Sequence, residues 1–320
     1  MKRPIDTRLP GILLWLLCAC LVSSGAPIKL PAELSMNADA GRGNWVIVPL
    51  RLTNGKELQF ILDTGCPHTI LDESRVSELG AQLGRTNIWL LSGEKKAGVY
   101  MTPQLYLGGV RLIIDSNVLA CDVHQLMTRR GQALAGILGM DCLRNYCVQL
   151  DFAAGKIRFL NSDNLKTTDL GAPFDIHYIG LQNEAGPDVQ PSIWTASLAG
   201  GSATNTVIDT GFNLDGLAER TAIKQAAAPS HSGNVFTRMK HFMAVEGLAD
   251  RAVELRECAW EHNTYTNMIV GKAPDDSPSW IGLRFLARHL VTLDFPDRKL
   301  YLKQLSIGPV KENQPEQPGK

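Results

Sequence analysis

The sequence has no surplus of either charge: lysine plus arginine and aspartate plus glutamate number 32 each among its 320 residues. A chain so balanced has no electrostatic basis for gripping a polyanion, and no nucleic-acid partner is expected. Neither a Cys-x-x-Cys pair nor a His-Glu-x-x-His helix is present and the seven histidines are scattered, so no metal site and no cofactor is expected. The N-terminal apolar run falls short of the roughly 20 residues that a membrane span needs. That run, Gly11 to Val22, follows Lys2, Arg3 and Arg8 and precedes the small residues Ser23-Ser24-Gly25-Ala26. This is the order of an export signal over residues 1–26, which favours cleavage near Pro27 and a periplasmic or extracellular product over a retained anchor.

Cys18 and Cys20 fall in that leader, where Leu17-Cys18-Ala19-Cys20 loosely matches a bacterial lipobox. Cys18 is atypical inside such a box, so simple cleavage ranks above lipidation of Cys20. Five cysteines remain, Cys66, Cys121, Cys142, Cys147 and Cys258, an odd number that leaves at least one thiol unpaired. A hydrophobic content of 44% is enough for two compact cores of ordinary domain size. The polar, proline-rich residues 306–320 predict a disordered tail.

One block of sequence occurs twice. Phe60-Ile-Leu-Asp-Thr-Gly-Cys66 returns as Thr206-Val-Ile-Asp-Thr-Gly-Phe212, with Asp209 lying 146 residues beyond Asp63. Ile137-Leu-Gly139, Leu143, Val148, Leu150-Asp-Phe152 and Lys156 return as Trp280-Ile-Gly282, Leu286, Val291, Leu293-Asp-Phe295 and Lys299, each 143 residues later. Two matched blocks in one order and at nearly one spacing predict two copies of one fold. The boundaries read as residues 27–162 and 163–305, with Asn161 to Asp175 as the link.

Each half reads as β-rich. Alternation over Trp45 to Leu52, a turn at Asn54-Gly55 and the run Leu58 to Leu62 predict a hairpin that delivers a strand to Asp63. Short strands are also expected over Val99 to Thr102, Leu105 to Leu107, Val110 to Ile114, Cys147 to Phe152, Ser192 to Leu198, Ala252 to Leu255 and Leu290 to Phe295. Helices are few: Glu73 to Leu79 behind an Asp72 cap, Asp141 to Tyr146, Leu217 to Ala228, and Arg284 to His289. The fold class is therefore all-β with few short helices.

A lone Asp-Thr-Gly is most simply a surface turn. Here each copy follows two large aliphatic residues, Ile61-Leu62 and Val207-Ile208, so that a buried strand ends in a carboxylate. Burying a charge without a partner is costly, and two such carboxylates brought together about a pseudo-twofold axis account for both. On these residues, and on Ile137-Leu138-Gly139 and Trp280-Ile281-Gly282 downstream, the chain resembles the pepsin and retropepsin superfamily of aspartic peptidases from about Asn44 to Leu302.

The resemblance implies two retropepsin-like acid protease lobes in one monomeric chain and a peptide or protein substrate. It implies a catalytic pair, Asp63 and Asp209, that shares a proton and activates a water. Thr64 and Thr210 are implied to tie the two loops together by hydroxyl hydrogen bonds, and Gly65 and Gly211 to allow tight turns beside the substrate. It further implies a flap, for which Ile88 to Tyr100, with its turn near Ser92 to Lys96, is the candidate.

Two residues depart from the family's usual Ser, Thr or Ala after Asp-Thr-Gly: Cys66 and Phe212. Phe212 is expected either to narrow the cleft or to mark a lobe without activity. The alternative reading is thus a non-catalytic, secreted, peptide-binding pseudoprotease. Cys66, Cys142 and Cys147 align with Phe212, Phe285 and Leu290, so each reads as a small buried hydrophobe and not as a nucleophile. Asp151 and Asp294, also repeated, read as hairpin caps. With no hydroxyl after either motif, the pair is expected to titrate nearer neutrality than in pepsin.

Overall fold

The computed structural model describes residues 30, 32–90, 93–123, 134–183, 186–226, 252–273 and 277–310. The expected export signal, the lipobox, most of the tail and Ser92 of the expected flap turn lie outside these residues, while the rest of that expected turn, up to Lys96, lies in the strand Gly93–Tyr100. The described chain is mainly β, with helices of three to seven residues.

The strands form three sheets. In the nine-stranded sheet, Ile47–Leu52 pairs antiparallel with Glu57–Leu62 across the turn at Asn54 and Gly55. The Asn54 Oδ1 accepts from Lys56 N at 3.0 Å, and Gly55 has φ +83°, a conformation that glycine adopts without steric cost. Glu57–Leu62 then runs parallel to Gly136–Leu138, which is antiparallel to Ile70–Asp72. Ile70–Asp72 runs parallel to Val118–Cys121, which is antiparallel to Gly93–Tyr100. The seven-stranded sheet has the same run of directions. It passes from Gly186–Ser197 to Gly200–Asp209 (antiparallel) and Ser279–Gly282 (parallel), then Gly216–Ala218 (antiparallel), Asn263–Lys272 (parallel) and Ala252–Trp260 (antiparallel).

The third sheet takes strands from both halves of the chain: Ala32–Ser35, Lys156–Leu160, Cys147–Asp151, His289–Asp294, Lys299–Gln304 and Ala172–Asp175, in that order. Its centre is the antiparallel pairing of Cys147–Asp151 with His289–Asp294. A single apolar cluster continues through it, including Phe60, Leu62, Leu138, Val148 and Phe159 from the first half and Ile208, Ile281, Phe285, Val291 and Leu293 from the second. Each such side chain contributes on the order of 1.5–3 kcal/mol by leaving water, so the two halves share one core.

Several local expectations shift. Glu73–Glu78 is a 3-10 helix, with Asp72 accepting from Ser74 N at its start. The helices expected at Asp141 to Tyr146 and Arg284 to His289 are four-residue turns, Met140–Leu143 and Leu283–Leu286. His289, placed there in a helix, instead begins a strand. Leu217 and Ala218 are not helical: Gly216–Ala218 is a strand held between two neighbours, and the helix is Arg220–Ala226. Local propensity is weak there, and sheet pairing decides. Val110–Arg111 is a two-residue strand, not a five-residue one. The expected link ends in a strand, Ala172–Asp175, paired with Lys299–Gln304.

Candidate active site

Glu57–Leu62 and Gly200–Asp209 carry Asp63 and Asp209 to one place, and the threonines that follow are fully buried there. Thr64 N donates to Thr210 Oγ1 at 3.0 Å and Thr210 N to Thr64 Oγ1 at 3.1 Å. The Thr64 hydroxyl donates to Ile208 O at 2.7 Å, and the Thr210 hydroxyl to Leu62 O at 2.8 Å. Each hydroxyl thus accepts one bond and donates one across the junction, so neither is left unpaired.

The glycines are reciprocal as well. A Cβ on Gly65 would lie 2.3 Å from Asp209 Cγ, and one on Gly211 would lie 2.4 Å from Asp63 Cγ. Each Asp-Thr-Gly loop therefore has its glycine backbone pressed against the other loop's carboxyl group, where no side chain fits.

Asp63 Oδ1 accepts from Gly65 N at 2.8 Å and from Cys66 N at 3.1 Å. Asp209, only 5% exposed, accepts from Gly211 N at 2.8 Å. The Asp63 carboxyl also meets the Asp209 side chain and the Gly211 N–H. Burial pushes Asp63 above the ordinary carboxylate range, and these hydrogen bonds offset only part of the shift. Two carboxyl groups in contact disfavour ionisation of both at once. Such a pair presents a base and an acid to the same small volume.

The downstream glycines pack beneath these loops. A Cβ on Gly139 would fall 2.3 Å from His68 O, and one on Gly282 2.3 Å from Leu214 O. Met140 N donates to Cys66 O at 2.8 Å and Leu283 N to Phe212 O at 2.7 Å, so each loop is held from below by the same bond.

A further tie recurs with its polarity inverted. In the first half the Thr69 hydroxyl donates to Asp141 Oδ1 at 2.7 Å. In the second the acid sits on the other element: Arg284 Nε donates to Asp215 Oδ2 at 2.9 Å, and Arg288 Nη2 to Asp215 Oδ1 at 2.8 Å. None of the five reads from the sequence as a site residue. Their signal was the pair of repeat offsets, under which Thr69 meets Asp215 and Asp141 meets Arg284.

Phe212 neither narrows a cleft nor faces one. Its ring is fully buried against Leu214, Leu217, Ile269 and Ala273, and packs edge-on to Trp280 at 5.5 Å. Cys66 is buried, and its Sγ donates to His68 O at 3.1 Å. Burial first, and the Asp63 charge second, hold its thiol well above the usual range, so it stays protonated and is no nucleophile.

The flap candidate is a hairpin of Gln82–Leu90 with Gly93–Tyr100, longer than expected at its base. Ile88 and Ala97 face inward and share a cluster with Trp45, Ile47 and Cys66, whereas Trp89 is 74% exposed. Among the described residues, no group of three or more His, Cys, Asp or Glu could hold a metal ion.

Residues 48–142 match a family model described as "Aspartyl protease". The matched span runs from the first hairpin through Asp63 to the short helix containing Asp141, so that part of the chain is similar to the family. Asp209 lies beyond it. No curated protein matches the chain.

Proposed function

We propose that this chain is an exported, monomeric aspartic endopeptidase of two duplicated lobes, residues 27–162 and 163–305, in which Asp63 and Asp209 are the catalytic pair. The reading is carried by one observation: Gly65 lies against the Asp209 carboxyl and Gly211 against the Asp63 carboxyl. The matching run of strand directions in the two larger sheets supports the duplication.

In the proposed reaction a water sits between the two carboxyl groups. The ionised one removes a proton from the water as its oxygen attacks the scissile carbonyl carbon, and the protonated one donates to the developing oxyanion. Collapse of the tetrahedral species breaks the C–N bond. The proton gained by the dyad passes to the leaving amine, and the remaining one again bridges the acids. No covalent bond to the enzyme forms.

The pseudoprotease alternative rested on Phe212 and on the unusual flap, and a ring turned into the core gives the first of these no support. The experiment is incubation of the mature protein with a mixed peptide library beside Asp63→Asn and Asp209→Asn variants. Cleavage by the wild type and a loss of at least roughly 10²–10⁴-fold in each variant is expected, because each removes one half of the acid and base pair. Binding of peptides without cleavage by the wild type would overturn the reading.

A further inference from the structure

We propose that Trp45 and Gln190 are positioning residues for the two Asp-Thr-Gly loops, each holding the loop of the opposite half by its glycine carbonyl. Trp45 lies two residues ahead of Ile47–Leu52 in the first half, yet its indole Nε1 donates to Gly211 O at 2.7 Å. Gln190 lies in Gly186–Ser197 of the second half, yet its Nε2 donates to Gly65 O at 2.5 Å. The two strands concerned occupy the same place in their sheets, each antiparallel to the strand that ends in an aspartate. The tie is therefore crossed and made twice, by different side chains, which is why no repeat in the sequence betrays it.

What these bonds hold is the donor set of Asp63. The Gly65 carbonyl and the Cys66 N–H belong to one planar peptide unit, so a bond that fixes the first aims the second. That N–H donates to Asp63 Oδ1. A carbonyl that accepts a bond also makes its own N–H a better donor. On the other side Gly211, whose carbonyl Trp45 holds, presses its Cα against Asp63 and donates its N–H to Asp209.

Trp45 is itself anchored. Its carbonyl accepts from Asn37 Nδ2 at 2.9 Å and its N–H donates to Asn44 Oδ1 at 3.0 Å. With its amide oriented to satisfy both ends, buried Asn213 accepts from the same indole N–H at 2.9 Å and donates to Asn44 O at 3.3 Å. The indole is thus a rigid strut between the first half and the loop of the second.

The kinetic part of the test rests on the endopeptidase reading; the exchange part does not. In Gln190→Met, which keeps the stem and removes the donor, kcat is expected to fall about tenfold with KM within about twofold, since alignment of the acids matters most in the transition state. Amide exchange by mass spectrometry is expected to rise about fivefold in peptides covering residues 60–68, in the opposite half, as one neutral hydrogen bond is lost. Trp45→Phe is expected to show the converse, faster exchange over residues 206–214. Exchange that rises only around the mutated residue, or a KM effect with kcat unchanged, would overturn the proposal. Should the wild type cut no peptide, the endopeptidase reading fails, and the crossed exchange pattern still decides this inference. If Trp45→Phe does not fold, the partly exposed Gln190 site decides it alone.

Discussion

Gln149 and Thr292 stand directly opposite each other at the centre of the third sheet, the amide donating to the hydroxyl at 3.0 Å. They are also the same position of the sequence repeat, so the pairing about them is its own image: Cys147 faces Asp294 as Asp151 faces Leu290. Both side chains are buried. Thr292→Val keeps the shape and strands the Gln149 amide, and is expected to cost about 1–3 kcal/mol. Urea unfolding is the measurement, and unchanged kcat is the control that separates this floor from the site above it.

The reciprocal glycine contacts predict an effect without loss of fold. Gly65→Ala places a methyl group in the Asp209 carboxyl, and Gly211→Ala does the same to Asp63. Activity is expected to fall at least roughly 10²-fold in each, as for a misplaced catalytic group, while the circular dichroism spectrum stays that of the parent. Wild-type rates in either variant would show that the two loops do not meet in this way in solution.

The third prediction concerns pH. A carboxyl group whose folded pKa lies above its unfolded value binds its proton more tightly when folded, so it detracts from stability as pH rises from the unfolded value through the folded one. Asp63 is such a group, raised by burial and coupled to Asp209. Asp63→Asn is therefore expected to raise Tm at pH 7 and to leave it nearly unchanged below about pH 3.9, the ordinary aspartate value. An equal difference at both values of pH would exclude a charge effect.

The cysteines offer a chemical test. Burial pushes Cys147 up to about 12 and Cys121 and Cys258 up to about 11, and holds Cys66 and Cys142 well above the usual thiol range. None of the five is paired, and all are buried. Iodoacetamide at pH 8 is expected to leave them unmodified in the native protein and to label all of them in urea, as read by mass spectrometry. Cys66→Ser is expected to keep the bond to His68 O and to move the pH profile of cleavage little. The N–H donors of Gly65 and Cys66, not a hydroxyl, stabilise the Asp63 anion.

Asp215 is the buried counter-charge of Arg284 and Arg288. Removing one partner of a buried pair costs about 3–5 kcal/mol because the other charge is left alone. Asp215→Asn should approach that loss in a denaturant titration, while Asp141→Asn, opposite a neutral hydroxyl, should lose far less.

The meeting of the two Asp-Thr-Gly loops is legible in the sequence because it follows from a repeat, and a repeat needs only letters. The hairpin before Asp63 is legible because Asn54-Gly55 is a turn signal with a physical cause. The ties around Thr69 and Asp215 are not, because hydroxyl-to-acid and acid-to-guanidinium share a position and no residue type. Phe212 misled because sequence gives a side chain's size and not its direction. The crossed bonds of Trp45 and Gln190 escape for a related reason: they depend on how two sheets are set against each other.

The third sheet is a continuous antiparallel ladder from Ala32–Ser35 through the junction to Ala172–Asp175. Mechanically, it is a weld and not a hinge. Parting the halves means shearing a row of backbone hydrogen bonds together, with a common core beneath them. The spacing of the two acids is then a dimension of the frame, insensitive to loading. Freedom to move is left to elements outside the weld, such as the two-stranded arm of Gln82–Leu90 and Gly93–Tyr100, which among the described residues joins its sheet through the pairing of Gly93–Tyr100 with Val118–Cys121.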